Sequence, residues 1–257
     1  MQKEAWLSVA AAAVLGSFAL FVRWLQLLNV FEADTGLAKP GSLLSWAVAL
    51  LCIAAAAVFL FLAGRLRRYH APTEPSAAFN TGKQPFQILM LVCGVLAAAG
   101  AVLMFRQGDL LTKILALLGL FAAVCLAFYL EAKSRGELGC LIAAVPVLFF
   151  CFWLIVSYKE NADDPVLWDY AMEILAIASS ALAHYYLAGY LFYRAKPVRT
   201  VYFILLAAFF CTVTLVDRRG LGEAMIFAAS ALSFYVLGWV LIRNFRQKER
   251  AGQDADL

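Results

Sequence analysis

Residues 42–64 read SLLSWAVALLCIAAAAVFLFLAG, a run without a single charged side chain. A hydrocarbon core about 30 Å thick is crossed by roughly 20 apolar residues of helix rising 1.5 Å each, so this stretch predicts a transmembrane helix. Its alanines, Ala54 to Ala57, and the similar run from Ala97 to Ala101 are the small residues that let membrane helices approach closely.

Working outward, seven more runs of this size predict spans at residues 5–31, 86–105, 110–130, 138–157, 166–193, 198–216 and 221–242. The chain has 257 residues, 64% of them hydrophobic and 15% charged, whereas soluble domains are about half apolar and a quarter charged. The first run opens like a secretory signal, with Lys3 ahead of small residues, but apolar sequence continues through Phe18, Phe21 and Val22, beyond a typical signal core. The expected fold is therefore an all-α integral membrane protein, a single polytopic domain of eight helices formed from four tandem helical hairpins.

Charge orients the bundle. With the N-terminus in the cytoplasm, fourteen of the 21 lysines and arginines fall on the cytoplasmic side, among them Arg65, Arg67, Arg68, Arg194, Lys196 and Arg243. Both termini are then cytoplasmic. The same basic rim is suited to an anionic lipid or a soluble partner, although orientation alone accounts for it. These residues flank spans and form no soluble basic module, which argues against nucleic acid as a partner.

The longest connection, Arg65 to Pro85, is rich in proline and has no room for an independent domain. All six cysteines lie within apolar runs without metal-ligand spacing, so they read as small buried hydrophobes, and no metal or other cofactor is expected. Phosphate loops, His-Glu-x-x-His and nucleophile elbows are missing from the sequence, which leaves catalysis the least favoured class.

Sliding the chain against itself exposes an internal repeat. Glu173 to Leu187, EILAIASSALAHYYL, matches Glu223 to Leu237, EAMIFAASALSFYVL, and Leu120 to Leu130 meets Ile226 to Val236 more weakly. In this register the counterparts of His184 are Phe234 and Phe128, and that of Glu173 is Glu223.

The sixth predicted span carries the sharpest functional lead. Asp164-Pro165 supplies a capping acid and a proline at the first helical position. Beyond it, Asp169, Glu173, Ser180 and His184 share one face at 100° per residue, a polar stripe on an apolar helix. Ionisable residues at membrane depth are costly and face a cavity or a partner. Arg23, in the first span, lies at a comparable depth and is the expected partner of Glu173. Glu223 is a secondary candidate, because an acid in the first turn of a helix already favours the helix dipole.

Two functions follow from this pattern. One is binding or translocation of a small ligand or ion through a cavity lined by Arg23, Asp169, Glu173, Ser180 and His184. The other is a non-enzymatic scaffold or accessory subunit that binds partner helices, a soluble subunit or anionic lipid. Under the second reading Arg23 snorkels to the interface beside Trp24, Glu173 is shallow, and Trp6, Trp24 and Trp168 mark the membrane boundaries. Short connections fit a bacterial cell membrane.

Overall fold

The computed structural model describes residues 2–30, 42–81, 85–162, 167–217 and 219–247, with the backbone alone at 167–169 and 246–247. Hydrocarbon offers no hydrogen bonds, so a spanning chain must satisfy its own backbone, and helices do this within one segment. The spans are α1 (Gln2–Asn29), α2 (Leu43–Arg65), α4 (Pro85–Gln107), α5 (Leu110–Ala127), α6 (Gly136–Glu160), α7 (Leu167–Leu191), α8 (Pro197–Thr214) and α9 (Leu221–Arg243); α3 is a single turn at Pro75–Ala78. All eight are long and apolar enough to cross a membrane. The sixth predicted span is thus α7, and its expected Asp164-Pro165 cap lies outside the described residues.

Helix ends follow local chemistry. Asp109 caps α5, its carboxylate accepting from the Thr112 backbone N–H at 2.9 Å and the Thr112 hydroxyl at 2.7 Å, which holds the carboxyl below its ordinary value. Helix α5 stops at Ala127, short of the predicted Leu130, because the chain tightens into a 3-10 segment at Tyr129–Ser134. Gly136, at φ +53°, then turns it into α6, a backbone conformation natural to glycine.

From α4 to α9 each helix packs on the next, and α9 returns to α4, closing a cycle of six. Helices α1 and α2 lie outside it, α1 against α8 and α9, α2 against α8. The four expected hairpins are not marked off as units, since α7 packs on α8 as extensively as on α6, and α4 on α9 nearly as extensively as on α5. Glycine closes the cycle: a Cβ on Gly100 of α4 would lie 2.5 Å from the Gly222 carbonyl oxygen, and one on Gly222 of α9 would lie 2.7 Å from that of Gly100. Only hydrogen fits on either side of that crossing.

Aromatic rings fill the centre of the cycle. Trp153 of α6 stacks on Phe227 of α9 at 4.7 Å, and Phe149 and Phe150 pack against Trp153. The lipid-facing sides of α1 and α2 expose Trp6, Trp24, Trp46 and Phe61 instead. Trp6 and Trp24, about 27 Å apart along α1, sit where interfacial aromatics are expected.

The long connection after α2 folds back over one end of the bundle. Tyr69–His70 pairs antiparallel with Arg246–Gln247, and Phe79 is fully buried between the rings of Tyr129 and Tyr190. Backbone carbonyls of this segment are held from three sides: Lys133 Nζ donates to Phe79, Arg243 Nη2 to Thr81 and Asn244 Nδ2 to Ala78, each at 2.7 Å. An Arg65–Glu4 ion pair places the start of α1 at this same end.

Candidate functional site

The polar residues of the opposite end form a buried network around the turn between α8 and α9. Arg23, one turn and a half before the end of α1, points inward and is fully buried. Its Nε donates to Asp217 Oδ1 at 2.8 Å, and its Nη1 donates to Gln26 Oε1 at 2.8 Å. Gln26 in turn donates to Ser45 Oγ of α2 at 3.0 Å. One guanidinium thus ties α1 to the α8–α9 turn and, through Gln26, to α2.

Two residues further along that turn, Arg219 bonds the carboxylate of Glu173 through Nη1. Glu173 is 2% exposed and Asp217 3%, so both carboxylates are removed from water, while Arg219 retains 16% exposure. The Ser157 hydroxyl of α6 lies close to the Glu173 carboxylate, and the charges of Glu160 and Glu223 are near enough to act on it. The turn itself is tight, with Asp217 N–H donating to Thr214 and Arg219 N–H donating to Asp217. A single turn therefore presents an acid to the arginine of α1 and an arginine to the acid of α7.

This arrangement revises the expected partners. Arg23 bonds Asp217, and Glu173 bonds Arg219, in place of an Arg23–Glu173 pair. Arg23 does not snorkel outward, since its side chain is buried and bonded to Asp217. Asp217 and Arg219 look like ordinary loop charges in the sequence. Their one signal is proximity to the α9 start, level with Glu223.

Glu173, Ser180 and His184 of the stripe on α7 lie on one buried face, but they meet different neighbours. Asp169 lies in the first turn of α7, and its side chain is outside the described residues. Ser180 is fully buried, its Oγ 3.3 Å from Cys211 Sγ of α8. His184, about 16 Å along the helix from Glu173, sits in an aromatic enclosure: Phe234 at 5.0 Å, Phe150 at 5.5 Å and Tyr129 at 6.1 Å between ring centroids. Its Nδ1 is buried and has no hydrogen-bond partner among the described residues. A cavity of about 20 Å³, bordered by His184, Ser230, Gly119 and Phe149, adjoins it. That is room for about one water molecule. Glu223 is half-buried beside Arg219.

The fold and this network define the class: a multi-pass, all-helical membrane protein with two buried ion pairs at one end of the bundle. No protein-family model, no curated protein and no solved structure matches the chain.

Proposed function

We propose that this protein is a non-enzymatic scaffold or accessory subunit of a bacterial cell membrane, held rigid by the outer ion-pair network and binding partner helices through α1 and α2. One observation supports the reading above others: among the described residues, Arg23, Glu173 and Ser180 are engaged with neighbouring side chains and His184 is enclosed by rings. A buried charge that is matched inside the protein fixes helix positions without offering itself to a passenger. Helices α1 and α2 stand outside the six-helix cycle with large exposed apolar side chains, including Trp46, Leu50, Ile53 and Phe61. The test is purification of the full chain in mild detergent. A membrane partner at fixed stoichiometry supports the proposal, and a clean solitary monomer counts against it.

A second reading, binding of a small ligand or cation at the outer end, is favoured by the three acids Glu173, Glu160 and Glu223 that gather around Arg219. Under it, R23A and E173A abolish binding of an identified ligand. Unchanged binding in both variants removes this reading. The match between α7 and α9 fits duplication of a hairpin, since the counterparts His184 and Phe234 meet at 5.0 Å and Glu173 and Glu223 flank one arginine.

A further inference from the structure

At the other end of the bundle, the end read as cytoplasmic, α6 and α7 leave a groove of about 630 Å³ between them. That volume lies within the range of roughly 300–1,000 Å³ typical of ligand sites. Its floor is apolar, built from Val147 and Leu148 of α6 with Tyr185 and Gly189 of α7, and its mouth carries Arg194 and Lys196. We propose that this groove holds one phospholipid with a net anionic headgroup, its acyl chain along the floor and its phosphate against Arg194 and Lys196.

Three observations carry the assignment. The first is the position of the cations. Helix α7 ends in a left-handed residue, Tyr193 at φ +54°, and the chain folds back so that Arg194 N–H donates to the Gly189 carbonyl at 2.7 Å. This bond pins the Arg194 backbone over the groove, and a Cβ on Gly189 would meet the Arg194 carbonyl oxygen at 3.2 Å. The second is charge. Arg194 and Lys196 are exposed, make no ion pair among the described residues, and share the groove with no carboxylate. An anion there meets two uncompensated cations.

The third is access. Leu148 and Tyr185 are 60% and 59% exposed on membrane-spanning helices, so the floor opens sideways to hydrocarbon. An acyl chain reaches it without leaving the bilayer, whereas a soluble anion gains nothing from the apolar floor. Basic pockets between transmembrane helices at the cytoplasmic surface are suited to acidic lipid headgroups for the same reasons. The inference is independent of the scaffold reading, because it concerns a different end of the molecule and a lipid in place of a protein.

The test is native mass spectrometry of the full chain released from vesicles of equal parts phosphatidylglycerol and phosphatidylcholine. The expected result is one retained phosphatidylglycerol, favoured over phosphatidylcholine by roughly 10- to 30-fold, as two basic residues near an anionic headgroup predict. R194A/K196A brings the ratio near unity, A144W in the groove wall removes the retained lipid of either kind, and R67A/R68A, elsewhere on the basic rim, changes neither. The proposal is overturned if the wild type shows no preference, a result that needs no variant to fold. It is equally overturned if R194A/K196A keeps the preference, if A144W retains the lipid, or if R67A/R68A loses the preference to the same extent.

Discussion

Arg23 and Asp217 meet at 2.8 Å although 194 positions of sequence separate them, and the bond joins α1, which lies outside the six-helix cycle, to the turn between its two most buried helices. Removing one partner of a buried ion pair leaves an uncompensated charge in a low-dielectric site, which costs about 3–5 kcal/mol. R23A is therefore expected to lower stability by about that amount in detergent unfolding. Replacing both partners, as in R23M/D217L, restores most of the loss, because matched apolar groups avoid the desolvation cost. Additive losses in this double-mutant cycle would show that the pair is not coupled.

The Arg219–Glu173 pair responds differently. Glu160 and Glu223 remain near Arg219 when Glu173 is neutralised. E173Q should cost about 1–2 kcal/mol, less than R23A, whereas R219A leaves three acids facing one another and costs more than E173Q. Comparing unfolding midpoints of the two variants checks the order, and equal losses would contradict the geometry.

The crossing of α4 and α9 is sterically demanding on both of its helices. G100A and G222A each force a methyl group against a backbone carbonyl that cannot rotate away. Each is expected to destabilise by about 1–3 kcal/mol, with the double variant falling short of the sum because both act on one interface. Thermal inactivation of the purified protein measures this.

His184 offers the opposite outcome. Its Nδ1 lacks a partner among the described residues, its neighbours there are rings, and a cavity of about 20 Å³ adjoins it. H184F removes a buried unsatisfied group and suits an aromatic site, so stability should hold or rise by about 1 kcal/mol. A loss of stability would mean that the imidazole makes an interaction which its ring neighbours do not reveal.

Placement in the bilayer is testable on tryptophan. In single-tryptophan variants, Trp6 and Trp24 should be quenched by lipids brominated near the headgroup, while Trp153, 1% exposed inside the cycle, is protected. Quenching of Trp153 by the same lipids would contradict the packing at the centre of the bundle.

Local chemistry made the spans and several of the important residues readable before any coordinates. Apolar runs long enough to cross hydrocarbon marked all eight helices to within a few residues, because in lipid a spanning segment has almost no alternative to helix. Periodicity placed Glu173, Ser180 and His184 on one face, and that face is buried. The 3-10 segment after Ala127 is not legible in the sequence, since its first residues, Tyr129 and Leu130, continue the apolar run.

By itself the sequence determined the solvent, the number of spans and the intramembrane charges that demand partners, since each depends on composition or on spacing along a single helix. Tertiary structure alone decided which partners those charges take. Asp217 and Arg219 belong to a short polar turn, and nothing in its residues distinguishes a solvated loop from one folded into the bundle. The path between α8 and α9 carries them to Arg23 and Glu173. Ion-pair choice depends on distances between separate helices, and those are set by how side chains of all the spans pack together, a quantity that no single span contains.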